Sequence, residues 1–245
     1  MLVVDRLTKA FGHDRILDGF DMTVPRNGFT VLVGPSGCGK TTLFDVLTGI
    51  APLDGGTIRW LGKPVAALDT AAAYMQQKDL LLPWLTLRGN ALLPSRIAGL
   101  GDSVALEKAE TLFLKMGLSG YEDYLPSRVS GGMRQRCALV RTLMFDRELV
   151  LLDEPLSALD AITRRNLHGL LTLLQSEFKR TVIMITHDIE EALLLGDEVL
   201  ILGSAPFQVV DRLLPPGGKP RSSTDTELVD MKGHALRLLA DGNAP

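Results

Sequence analysis

The sequence predicts an α/β fold: a mostly parallel sheet covered by helices, with an α-helical subdomain inserted into it. Three observations carry this expectation. Short β-branched runs end in Gly-rich or polar turns and alternate with helical patterns. The runs at 149–152 and 182–185 are nearly all apolar, as strands covered on both faces are. Between about residues 86 and 146, strand signals vanish and periodic Leu, Ala and Met take their place.

In chain order, strands are expected at Leu2–Asp5, Asp21–Val24 and Phe29–Val33, then a glycine-rich turn and a helix beginning near Lys40. Further strands are expected at Thr57–Trp60 and Ala72–Met75. Thr86 and Ser103 are candidate helix N-caps in the strand-free stretch. The remaining strands are expected at Leu149–Leu152, Val182–Ile185, Glu198–Leu202 and Phe207–Arg212. After Leu214 the stretch PPGGKPRSSTDTE reads as a linker. It leads to a last helix with Leu228, Met231, Ala235, Leu238 and Leu239 on one face. The expected division is therefore 1–214, with the helical part at about 80–146, and a linker plus short helix at 215–245.

Bulk properties narrow the function classes. A chain of 245 residues can bury one large core or two modest ones. With 46% hydrophobic residues, 22% charged residues and a net charge of −3, nothing calls for a polyanionic partner, and no nucleic acid is expected. Cys38 and Cys137 lie far apart without metal-ligand spacing, which fits the cytosol. The opening LVVDRLTKAFG lacks the regions of a signal peptide. No run approaches the roughly 18 apolar residues that cross a bilayer, so the chain is not expected to span a membrane by itself.

Two segments carry phosphate chemistry. GPSGCGKTT, comprising Gly34, Pro35, Ser36, Gly37, Cys38, Gly39, Lys40, Thr41 and Thr42, follows the expected strand Phe29–Val33 and matches G-x-x-x-x-G-K-[ST]. Its glycines let successive backbone N–H groups turn inward around phosphate oxygens, and the following helix aims its positive end at the same charge. Lys40 can reach the terminal phosphates of a nucleotide, and the Thr41 hydroxyl can ligate Mg²⁺. ELVLLDEP is an apolar strand ending in two carboxylates. Alternation would send Asp153 and Glu154 in different directions. Asp153 is placed to hold Mg²⁺ through water, and Glu154 to orient or deprotonate an attacking water.

VSGGMRQR, at 129–136, reads by itself as a Ser-capped helix start with close-packing glycines. Between the phosphate loop and the Asp-Glu strand it closely resembles the signature sequence of ABC (ATP-binding cassette) ATPases. LSALD, at 156–160, looks like their D-loop, and ITHDIEEA, at 185–192, like their switch-histidine segment. The resemblance covers about residues 1–214. It implies a RecA-like P-loop NTPase core of the ABC type, with antiparallel strands on its N-terminal side. It also implies cassettes paired head to tail, with ATP held between one phosphate loop and the other chain's Ser130-Gly131-Gly132. Gln135 and Asp160 join the nucleotide-binding set by the same resemblance. Phe11 takes the place of an adenine-stacking aromatic, while His187 would contact the γ-phosphate. Cys38 reads as a small filler in the loop and Cys137 as helix packing. Val129, Cys137 and Thr142 depart from the usual family residues without touching the catalytic assignment.

MQQKDLLLPWLTLRGNALLP resembles the Q-loop of importer ATPases in the nitrate, sulfonate and taurine, and pyrimidine thiamine-precursor group. Aligned on Pro83-Trp84, the family glutamine falls on Gln77, which would reach Mg²⁺ and the attacking water. The Leu80–Leu85 run then has two readings, as core of the helical subdomain or as a groove for a short cytoplasmic permease helix. The expected partners are a second cassette, membrane-spanning permease subunits and, indirectly, an extracytoplasmic solute-binding protein. The expected place is the cytoplasmic face of the cell membrane. An export cassette and a soluble ABC machine are the alternatives. The latter would carry long insertions, tandem cassettes or basic stripes, and this sequence has none of these.

Overall fold

A computed structural model describes residues 1–99, 101–157, 159–204 and 207–241. Ala158, inside the LSALD segment, and residues 242–245 lie outside the described residues. In chain order the elements are β1 (Leu2–Phe11), β2 (Asp14–Val24), β3 (Phe29–Val33), α1 (Lys40–Thr48), β4 (Gly55–Trp60), β5 (Lys63–Val65) and β6 (Ala72–Met75). The helices α2 (Leu87–Ile97), α3 (Asp102–Lys115) and α4 (Gly131–Met144) follow, with a 3₁₀ turn at Pro126–Arg128. Then come β7 (Leu149–Asp153), α5 (Ala161–Ser176), β8 (Thr181–Thr186), α6 (Ile189–Leu195), β9 (Glu198–Ser204), β10 (Phe207–Leu213) and α7 (Thr226–Asp241).

The strands form two sheets. One is antiparallel, in the order β2-β1-β4-β5; the other runs β10-β9-β3-β8-β7-β6, parallel except for the β9–β10 pair. Apolar alternation explains why the two layers close on each other. In β7, Val150 and Leu152 join the core beneath the helices, while Leu149 and Leu151 join the core between the sheets. Strand β8 divides in the same way, Val182 and Met184 to one side and Ile183 and Ile185 to the other. Leu43, Phe44, Val46 and Leu47 of α1 fill the second core.

Three local outcomes differ from expectation. The first hairpin is longer, because β1 and β2 pair as far as Phe11 and Asp14 around a turn with Gly12 at φ +62°. A bulge at Arg6, φ +49°, keeps Val4 and Leu7 on the same buried face, and the Asp21 carboxylate accepts the Arg6 N–H at 2.8 Å. Its interrupted alternation hid the extra length. The short edge strand β5 contains Pro64, which an edge tolerates. Ser103 is not an N-cap: the Gly101 carbonyl already accepts the Ala105 N–H at 3.3 Å, so α3 starts at Asp102 and Ser103 lies in its first turn. Thr86 does cap α2, its hydroxyl accepting the Gly89 N–H at 3.0 Å.

Candidate active site

Four parallel strands, β3, β6, β7 and β8, deliver the chemistry at their C-terminal ends, where open α/β sheets place ligands. The loop after β3 turns through Gly37 at φ +78° and Gly39 at φ +116°, backbone conformations that L side chains rarely adopt. A Cβ on Gly39 would sit 2.7 Å from the Ile16 methyl, so the β1–β2 hairpin packs directly against this loop. Lys40 is 7% exposed, and its ammonium donates to the carbonyls of Gly34 at 2.8 Å and Pro35 at 2.7 Å. Cys38 is buried beside it, with Sγ 3.8 Å from Nζ, as the small filler expected.

Asp153 ends β7 at 1% exposure and accepts the Thr41 hydroxyl at 2.9 Å. Burial raises its pKa above the usual carboxylate range, with Thr41 opposing and Glu154 adding to the rise. This buried pair of oxygen donors suits a hard divalent cation such as Mg²⁺. Tyr74 stands near the same pair, its phenol pushed up first by burial and then by Asp153 and Asp45.

Glu154 diverges from Asp153 as expected, although by a different device. Its backbone leaves the strand at φ +48°, strain on the order of 1–3 kcal/mol for a non-glycine residue. The main chain is fastened there: the Glu154 N–H donates to the Ile185 carbonyl at 2.9 Å, and the Glu154 carbonyl accepts the Gln135 amide at 3.0 Å. The side chain meets two of the other candidate site residues. The Gln77 amide donates to Oε2 at 3.1 Å, and His187 Nδ1 lies 3.3 Å from Oε1. Gln77, Glu154 and His187 thus form one cluster, although each follows a different strand.

The other candidate residues lie elsewhere. Phe11 is 52% exposed at the hairpin that touches the phosphate loop, with Lys9 Nζ 5.1 Å from its ring centroid. Ser130 is exposed and caps α4 by accepting the Met133 N–H at 3.3 Å, with Gly131 and Gly132 beginning the helix. Gln135, assigned by resemblance to nucleotide contact, is turned inward at 4% exposure and fastens Glu154 as described. Five residues beyond Ser130, about 140° round the helix from it, Gln135 points into its own chain's core. Asp160 is exposed and accepts the N–H and hydroxyl of Thr163 at 3.0 and 2.7 Å.

Several organising residues were not singled out by sequence. Arg164 donates to the Leu159 carbonyl at 3.2 Å and lies 3.6 Å from Asp188 and 3.5 Å from Glu191, joining the D-loop to the segment after His187. Buried Glu191 accepts the Thr186 hydroxyl at 2.8 Å. Burial pushes its carboxyl up, against the pull of Thr186 and Arg164. In the Leu80–Leu85 run, Leu81 is buried, whereas Leu80 is 50% and Trp84 72% exposed. The backbone beneath them is pinned. Fully buried Asn90 accepts the Leu82 N–H at 2.7 Å and donates to the carbonyls of Leu82, Leu85 and Thr86. Arg141 donates to the carbonyls of Leu80 and Asp79, and Arg134 binds the Asp79 carboxylate at 3.0 Å. The exposed apolar tip is therefore a built surface; the pure-core reading fits only Leu81.

Comparison with known proteins agrees with this geometry. Residues 17–157 match the family described as "ABC transporter". An uncharacterised ABC transporter ATP-binding protein of Methanocaldococcus jannaschii is 35% identical over 244 residues, covering 98% of this chain and 91% of that one. The taurine import ATP-binding protein TauB of Escherichia coli is 37% identical over 213 residues, covering 87% and 84%. Among solved structures, the ATP-binding cassette MJ0796 bound to ADP and Pi superposes with a TM-score of 0.80 at 24% identity, covering 89% of this chain and all of that one. At that identity the likeness speaks for the fold. On the family match and these relatives, the chain belongs to the ABC transporter family, as an ATP-binding cassette.

Proposed function

We propose that this ABC-type ATPase is the energy-coupling subunit of an importer, working as a head-to-tail pair beneath separate membrane-spanning subunits. The observation that carries the catalytic part is the convergence of Gln77 and His187 on the two oxygens of Glu154, next to the Thr41–Asp153 pair. The loop amides from Gly34 to Thr42 and the Lys40 ammonium bind the phosphates, and Phe11 stacks on adenine. Thr41, Asp153 and Gln77 would hold Mg²⁺, which would supply positive charge against the phosphates. Glu154 orients the attacking water and draws off its proton, and His187 hydrogen-bonds the γ-phosphate. Ser130, Gly131 and Gly132 of the second copy complete the site, with Asp160 at the junction. Loss of the γ-phosphate removes shared contacts and lets the pair open.

The importer reading draws support from TauB, whose name gives taurine import, and from the pinned apolar tip. Leu80, Pro83 and Trp84 form a patch that suits a short apolar permease helix. A sulfonate such as taurine is the favoured cargo class, delivered by an extracytoplasmic binding protein that the cassette does not touch. No helix among the described residues is long and apolar enough to cross a membrane, so attachment to the cytoplasmic face would run through the permease. Trp84→Ala is expected to weaken permease capture or transport by tenfold or more, roughly a hot-spot loss, and to leave ATP affinity unchanged. Equal loss of both would return Trp84 to a packing role.

A further inference from the structure

The segment 215–241 grips α6, the short helix that directly follows His187. Its Arg221 guanidinium donates to the carbonyls of Leu193 at 3.0 Å and Gly196 at 2.7 Å, at the C-terminal end of α6. The same guanidinium donates to the carbonyls of Pro215 at 3.0 Å and Pro216 at 2.9 Å in the linker. One cation thus satisfies helix-end carbonyls and complements the negative end of the helix. At the other end, Lys232 of α7 pairs with Glu190 in the first turn of α6 at 2.5 Å. Leu228 and Ala235 of α7 are buried in the core that α6 shares. Asp188, next to His187, caps α6 by accepting the N–H groups of Glu190 at 2.9 Å and Glu191 at 3.2 Å. A displacement of α6 therefore moves the backbone that carries His187.

We propose that segment 215–241 is a brace on the switch helix, with Arg221 and Lys232 acting as positioning residues for His187. The brace rests on the reading of His187 as the γ-phosphate contact. It predicts a particular kinetic signature. The phosphate loop and Phe11 lie outside the braced region, so the KM for ATP stays within about twofold while kcat falls. For Arg221→Ala the fall is about tenfold to a hundredfold, the range for a slight misplacement of a catalytic group. For Lys232→Glu, which sets two carboxylates against each other, it is roughly threefold to tenfold, as suits a half-exposed pair. The exchanged pair Lys232→Glu with Glu190→Lys restores kcat.

The test measures ATP turnover of the full chain, at concentrations that give the paired form, for these variants in the parent and in a His187→Ala background. A brace acting through His187 has nothing left to position in that background, so its variants lose no further activity. Full kcat in folded Arg221→Ala and Lys232→Glu, with His187→Ala impaired, overturns the brace and leaves the role of His187 standing. Undiminished losses in the His187→Ala background also overturn it, because the segment then acts on the fold at large. Full turnover by His187→Ala itself removes the role of His187 and the brace together. Should Arg221→Ala fail to fold, Lys232→Glu and its exchange partner decide alone.

Discussion

At the scale of single residues, chemistry that needs fixed residue types at fixed spacing is what the sequence displays most openly. Thr41 bonds Asp153, and Gln77 and His187 meet on Glu154. The residues that hold these groups in place carried no such signal. Arg164 reaches Leu159 before its own helix and Asp188 and Glu191 at the start of α6, and an arginine on a helix face looks the same whether or not it finds such partners. Gln135 joins the nucleotide set by family resemblance alone, whereas its place on α4 turns it inward. Cys137 is buried in α4. Its thiol donates to the Leu87 carbonyl at 3.4 Å, and burial pushes its pKa up to about 12. Because the thiolate is the reactive form, iodoacetamide at pH 8 is expected to leave Cys137 unmodified until the chain unfolds. Peptide mapping that finds it alkylated in the native protein would contradict this.

At the scale of elements, Asn90 and Asp197 each fasten a stretch of backbone outside the regular ladders. Asn90 ties the 82–86 backbone to α2, so Asn90→Ala removes the partner of the Leu82 N–H and of the Leu85 carbonyl, while the Leu82 and Thr86 carbonyls keep the backbone N–H groups of Leu85 and residue 90. The expected loss is about 2–3 kcal/mol in urea unfolding, with faster amide exchange at Leu82 than at core strand positions. An unchanged midpoint would mean that water replaces Asn90 freely. At the start of β3, Asp197 accepts the Phe29 N–H at 2.8 Å and pairs with Lys219 at 2.8 Å, with Gln175 as a further donor. Burial pulls the Asp197 pKa upward, but these donors outweigh it and hold the carboxyl below its usual range. A depressed acid contributes stability above its unfolded pKa and loses it as pH falls through the folded one. Asp197→Asn should therefore cost about 1 kcal/mol near pH 7, allowing for screening of this partly exposed group. The difference should vanish below the carboxylate range, and a pH-independent difference in thermal midpoint would assign the effect to shape. None of this was legible beforehand, since Asp197 reads as a turn residue after a helix.

At the scale of the whole molecule, the parallel strands were legible because burial on both faces makes them continuous apolar runs. The first hairpin was only half legible, because a bulge and several charged residues break its alternation. A single chain brings the phosphate loop, the metal-suited pair and the Glu154 cluster to one end of the parallel sheet. It displays Ser130 and Asp160 on its exposed surface. That arrangement suits the proposed completion of the site by a second copy. Glu154→Gln tests it most directly, by measuring ATP turnover together with particle mass in the presence of ATP and Mg²⁺. The variant is expected to keep binding ATP, to double its mass when ATP is added, and to turn over roughly 10²–10⁴-fold more slowly than the parent. Turnover at the parent rate, or full activity from a particle that stays a monomer, would contradict it.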